Sequence, residues 1–139
     1  MSLRRKAREF ALQMLFQWEM HPQEPARIAA GFWKNARAEK KTRDFANQLF
    51  EGVVAAVKGI DPVLEQHAKN WRLERMAAID RNILRLGICE LQAGDVPPKV
   101  VINEAVELAK KFSTEDSAPF INGILDAVAK TGSSETRKP

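Results

Sequence analysis

The stretch Val100–Phe112, VVINEAVELAKKF, decides the fold. Its residues Val101, Ile102, Ala105, Leu108, Ala109 and Phe112 recur at steps of three and four, while Asn103, Glu104, Glu107, Lys110 and Lys111 fall on the other side. That period is the 3.6-residue repeat of an amphipathic α-helix with one face turned to a core. Glu107 and Lys111 stand four apart in the favourable order, a pairing worth about 0.2–0.5 kcal/mol on an isolated helix.

Working outward, the same period recurs on both sides. Downstream, Ser113–Ser117 offers caps for a last helix reaching about Lys130, with Pro119 in its first turn, where a missing N–H costs little. Upstream, Gly94 and Pro97-Pro98 close a helix over about Glu74–Ala93. Its Ile79, Ile83, Leu84, Leu86, Ile88 and Leu91 cover more than one face, which places it near the centre of the fold. Asp61-Pro62 reads as the cap and first residue of a further helix carrying Val63, Leu64, His67, Ala68 and Trp71. Before it, Thr42 reads as the N-cap of a helix to Lys58, with Phe45, Leu49, Phe50, Val53, Val54 and Val57 as its stripe and Gly59 as its stop. A weaker helix spans about Ala26–Ala36, with Ile28, Ala29, Phe32 and Trp33, and residues 37–41 make a polar connection. The first helix spans about Leu3–Met20, its stripe being Leu3, Ala7, Phe10, Ala11, Met14, Leu15 and Trp18; Pro22 and Pro25 end it. The expectation is an all-α fold of seven helices with no strand-like alternation, no internal repeat and no domain boundary. Residues 132–139 lack apolar content and are expected to be mobile.

Composition narrows the function classes. The 139 residues are 45% hydrophobic and 29% charged, which suits one globular domain able to bury a core. No run approaches the ~18 apolar residues of a membrane helix. No signal-peptide h-region is present, and the apolar pattern runs unbroken from the arginine-rich start into a packed helix, which speaks against an organellar presequence. The single cysteine, Cys89, excludes an intrachain disulfide and a cysteine-rich zinc site and fits a reducing cytoplasm.

Enzyme signatures are missing as well. His21 and His67 have no partner at metal-ligand spacing, and the seven glycines lie too far apart for a phosphate cradle. Cys89 sits inside an apolar helix, as a small core residue does. His67 lies beside an apolar stripe and reads as structural. Neither a catalytic centre, a metal site nor a cofactor site is expected. Asp80 and Arg81 adjoin on a hydrophobic helix and suit either an exposed contact pair or a structural ion pair.

The charge is concentrated. Net charge is +4 from 22 bases and 18 acids, yet residues 1–8 carry Arg4, Arg5, Lys6 and Arg8 with no acid, so the remainder is balanced. Such a localised excess suits a polyanion contact, or simply a solvated helix start. At 100° per residue, Arg4 and Arg8 fall at one edge of the first helix's apolar stripe, with Arg5, Leu12 and Phe16 just beyond. Phe16 is then a ring off the core centre on the arginine side. Cations holding phosphates beside a ring that stacks on an unpaired base suit single-stranded RNA. The alternative is that Phe16 packs beneath a neighbouring helix.

Several blocks carry a family resemblance. Arg4-Arg5-Lys6-Ala7-Arg8-Glu9 with Ala11–Leu15, Phe50 with Gly52-Val53 and Ile60-Asp61, Asp80–Leu86 with Glu90-Leu91, and above all Val96-Pro97 through Val101–Lys110 into Phe120–Asp126 resemble the NusB family, in order, from residue 4 to about residue 128. The resemblance implies seven helices in two bundles, here one NusB-like RNA-binding domain over residues 1–131. It implies a transcription antitermination factor that binds the boxA element of ribosomal RNA leaders together with NusE, a ribosomal small-subunit protein, and seeds a complex on RNA polymerase. It also implies RNA contacts at Arg4, Arg5, Lys6 and Arg8, at Phe16 where well-studied members carry tyrosine, and at Asp116 and Phe120, with Asp80 and its neighbour Arg81 at the NusE contact. Members are known as monomers and as homodimers. Two alternatives remain: a helical protein-interaction module, or the detached NusB-like domain of a ribosomal RNA methyltransferase.

Overall fold

The computed structural model describes residues 2–68 and 72–136, with side chains as far as Thr131. Every regular element among them is helical: α1 Leu3–Met20, α2 Pro25–Asn35, α3 Lys40–His67, a 3-10 turn Leu73–Arg75, α4 Ala78–Ala93, α5 Pro98–Phe112 and α6 Ser117–Thr136. The chain divides into two compact units, residues 1–56 and 57–139, with the division inside α3. No helix among the described residues is long and apolar enough to cross a membrane.

In the first unit, α1 has the expected bounds. Ser2 supplies an N-cap that the sequence reading lacked, its Oγ accepting from the Arg5 N–H at 3.1 Å. Phe10 meets Phe32 at 5.8 Å and Trp33 at 5.0 Å in edge-to-face geometry, and Phe32 meets Trp33 at 4.9 Å. Each such ring pair contributes about 0.5–1.5 kcal/mol beyond the area it buries. The Trp33 indole N–H donates to Asn47 Oδ1 at 2.8 Å, tying α2 to the start of α3.

In the second unit, α4, α5 and α6 each pack against the other two. Residues Asn82–Ile88 of α4 are all buried, as its several apolar faces predicted. Gly94 ends α4 in the left-handed region at φ 74°, where only glycine is free of Cβ strain. Gly87 has another purpose: a Cβ there would lie 2.8 Å from Leu125 Cδ1, so its bare backbone lets α6 approach. His67 is structural, its Nδ1 2.8 Å from the Val63 carbonyl.

Four expectations are corrected. The third and fourth predicted helices are one helix, α3, with Pro62 inside it. The apolar line Phe50, Val53, Ile60 and Leu64 is fully buried across the expected break, so packing outweighs the hydrogen bond that proline cannot donate. Six α-helices and a 3-10 turn therefore stand where seven helices were expected. Thr42 does not cap α3, which starts two residues earlier; it is buried within the first turn. The helix expected from Glu74 begins at Ala78, after the 3-10 turn. The last helix, expected to end at about Lys130, continues as α6 to Thr136. Trp71 and residues 137–139 lie outside the described residues.

Asp61 is held through its side chain rather than as a cap. Its carboxylate accepts from Arg85 Nε and Nη2, both at 2.8 Å, joining α3 to α4 within the second unit. The Arg85 side chain is 8% exposed and the Asp61 side chain 22%. Asp61→Ala leaves a buried guanidinium without its bidentate partner and is expected to lower unfolding stability by about 2–3 kcal/mol in a urea titration. A loss under about 0.5 kcal/mol, the range of ordinary surface substitutions, would make the pair dispensable.

Candidate functional site

The sequence-predicted residues fall into two groups, one in each unit. In the first unit everything depends on α1. Residues Ala7–Leu12 are buried without interruption, as are Met14 and Leu15. Six consecutive helical residues sweep more than a full turn, so the middle of α1 is enclosed on every side. The expected single stripe is therefore too narrow a description, and Arg8 is corrected with it. Arg8 lies on the line of Ala11, Leu12 and Leu15 and is only 3% exposed. The accessible cations at this end are Arg4, Arg5 and Lys6.

Arg4 stands with its guanidinium carbon 5.2 Å from the centroid of the Phe45 ring, a contact worth about 0.5–1 kcal/mol at an exposed site. The Lys6 ammonium lies 5.1 Å from the Phe10 ring. These cations occupy the first turns of a helix whose N-terminus is already positive, and no acid stands among them. Helix electrostatics disfavours that placement by about 0.3–1 kcal/mol per charge. The Arg4–Phe45 contact offsets part of that cost.

Phe16 emerges at the far side of the enclosed stretch, roughly 15 Å along the axis from Lys6. It is half-buried and lines a cleft of 580 Å³ with Gln17, Met20, His21, Arg27 and Ile28. Arg5 shares the side of α1 that carries Phe16, but Glu9 and Leu12 between them are buried, so ring and cations are separate features. Arg27 and His21 beside the ring come from α2 and the α1–α2 connection, beyond the reach of helical periodicity, while Gln17 is the ring's neighbour on α1.

In the second unit, Asp80, Asp116 and Phe120 come together. They line a 460 Å³ cleft with Arg75, Met76 and Ser117. Asp80 is neither a bare contact residue nor a simple ion pair. Its Oδ1 accepts from Ser113 Oγ at 2.7 Å and its Oδ2 from Ser117 Oγ at 2.9 Å. The two hydroxyls are themselves 3.0 Å apart. Arg81 is turned to the backbone, its Nη1 donating to the carbonyls of Leu73 at 2.7 Å and Met76 at 2.8 Å, and so fixes the 3-10 turn that forms one wall. The serine partners could not be found from sequence, since they lie more than thirty residues from Asp80.

Cys89 is half-buried on α4 rather than in the core. Burial pushes its thiol above the ordinary cysteine range and the Glu90 carboxylate adds to the rise, the opposite of what activates a nucleophile. Among the described residues, no group of three or more His, Cys, Asp or Glu side chains is placed to hold a metal.

A family model described as the NusB family matches residues 5–130. The chain belongs to the NusB family. A transcription antitermination protein NusB from Myxococcus xanthus (strain DK1622) is 50% identical over 135 residues, covering 93% of this chain and 96% of its own length. Its counterpart from Koribacter versatilis (strain Ellin345) is 46% identical over 137 residues, covering 97% and 94%. Among solved structures, T. maritima NusB matches with a TM-score of 0.81 at 34% identity, over 91% of this chain and 90% of that one. A structure of the antitermination factors NusB and NusE in complex with dsRNA matches at 0.83 and 30% identity, over 94% and 98%.

The hydroxyl–carboxylate knot makes Asp80 a fold residue as well as a cleft residue. Asp80→Ala removes the acceptor for two hydroxyls, one of them on buried Ser117, and is expected to cost about 1–3 kcal/mol. Asp80→Asn, which keeps one acceptor oxygen, should lose less. Thermal melts of the two variants decide it; an alanine variant as stable as the parent would reduce the carboxylate to a surface group.

Proposed function

We propose that this chain is a transcription antitermination factor that binds boxA RNA of ribosomal RNA leaders together with NusE, supports ribosomal RNA transcription and maturation, and performs no chemistry of its own. The observation that carries the reading is the Arg4-Arg5-Lys6 block, exposed at the positive end of α1, whose first turn carries no acid. Such a block draws in a phosphate backbone and gains affinity by releasing counterions.

Phe16, half-exposed beside Arg27 and Gln17, offers a ring for an unpaired base and polar groups for its edges. Phenylalanine keeps the stacking face of the family's tyrosine without its hydroxyl. The second-unit cleft supplies the other contacts. Phe120 gives an apolar wall, while Asp80 and Asp116 give an acidic rim that suits a basic protein partner and discourages misplaced phosphate. Arg81 acts through the wall it braces. Arg8, being buried, is left out of the direct contact set. NusE and this chain sharing one RNA would bind it better than either alone through effective concentration. The pair then docks on the RNA polymerase antitermination complex in the cytoplasm, and a homodimer would be a resting form that covers the RNA surface.

Fluorescence anisotropy with labelled boxA RNA, with and without NusE, tests this. The parent should bind RNA more tightly when NusE is present, and Phe16→Ala should lose about 1–3 kcal/mol of RNA affinity. Phe16→Tyr should retain it. Binding that ignores NusE and tolerates Phe16→Ala would favour a helical interaction module instead. A parallel titration with duplex RNA separates base stacking from backbone attraction, since the faces of paired bases are already stacked on one another.

A further inference from the structure

The balance of charge outside residues 1–8 conceals a second positive block. Residues 1–56 hold ten bases against six acids, and residues 57–139 hold twelve of each, so the whole excess lies in the first unit. Nine of those ten bases fall within residues 4–8 and 34–43. The second run, Lys34-Asn-Ala-Arg37-Ala-Glu-Lys40-Lys41-Thr-Arg43, has five bases and one acid and spans the connection from α2 into α3.

The fold brings the two runs together. Lys6 and Arg37 line one cleft of 440 Å³ with Ser2, Glu39 and Thr42. Arg4 reaches Phe45 on α3, and Lys41 stands one turn before Phe45 on the same side of that helix. Lys6, Arg37 and Lys41 are all exposed. Not every base joins them. Lys40 is paired with Asp44 at 3.1 Å, and Arg43 lies about 200° around the helix from Lys41. Glu39 is the one carboxylate in the cleft and partly offsets the field there.

We propose that Arg37 and Lys41 continue the Arg4–Lys6 cations into a single track for an RNA phosphate backbone. The proposal rests on the RNA-binding reading above and extends its contact surface to the α2–α3 connection. The patch suits RNA better than a protein. A protein docking site needs a desolvated apolar or aromatic centre, whereas here the large exposed apolar side chain is Leu3 alone, and the Phe45 ring is partly covered by Arg4. Cations on long stems, fixed at their bases by two helices and a short connection, match a repeating phosphate without reading sequence.

Salt dependence of binding to a labelled single-stranded boxA RNA tests the track, using the full chain. Each phosphate contact to a single strand contributes about 0.7 to the slope of log K against log salt, so Arg37→Ala with Lys41→Ala should flatten the slope by about 1.4. Arg37→Lys with Lys41→Arg should keep it. Lys58→Ala with Lys99→Ala removes the same charge from exposed positions outside residues 1–56 and should leave the slope unchanged. Arg37→Gln with Lys41→Gln, which preserves most of the stems, gives the same comparison if the alanine protein melts early. An unchanged slope in the Arg37/Lys41 variants, or an equal drop in the Lys58/Lys99 control, overturns the track while parent RNA binding stands. A parent with no salt-dependent RNA binding takes down the underlying reading and the track with it.

Discussion

The enclosure of α1 from Ala7 to Leu12 is the constraint on which the rest depends. A helix buried on all sides can present groups only at its ends. Ala7, Phe10, Ala11, Met14 and Leu15 hold the helix in place, with Phe10 locked edge-on to Phe32 and Trp33. That packing fixes the rotation of the helix and so decides which side chains reach water. Arg4, Arg5 and Lys6 emerge at one end and Phe16 at the other, while Arg8 and Glu9 between them do not. The helix is thereby divided: its middle belongs to the core and its two ends reach water.

Electrostatics is arranged in the same divided way. The second unit is charge-balanced, and its conspicuous ionic groups are committed to the fold: Arg85 to Asp61, Asp80 to two serines, Arg81 to two carbonyls. The first unit holds the excess and displays it in the first turns of α1 against the preference of the helix dipole. Departures from local rules concentrate where a molecule meets its partners. Here the departure is a cation block whose natural complement is a polyanion.

Much of the fold was legible because periodicity and punctuation reinforce each other. α1 has the bounds its apolar repeat and Pro22 and Pro25 imply, α4 is buried around its whole circumference, and Gly94 ends it as a glycine after an apolar repeat should. The failure at Asp61-Pro62 has the same root. Local signals there say stop, but Ile60 and Leu64 are buried on either side and Asp61 is gripped by Arg85, so long-range contacts carry the helix through. Of the candidate site, the sequence shows the residue types but not their geometry. Charge and aromatic content marked α1, yet periodicity could not tell that Arg8 is enclosed, because burial beyond the apolar stripe is set by tertiary packing rather than by local repeat. The pairing of Asp80 with Ser113 and Ser117 was invisible for that reason too. The run from Lys34 to Arg43 was visible as charge, but only the cleft shared by Lys6 and Arg37 gives it a place beside the N-terminus.

Ultraviolet cross-linking of boxA RNA to the full chain, with the adducts mapped by mass spectrometry, tests most directly whether the two ends of α1 are the parts that meet nucleic acid. The account predicts adducts within residues 1–56, at Phe16 and in the peptides bordering Arg4–Lys6. Efficient cross-linking with every adduct in residues 57–139 would contradict it.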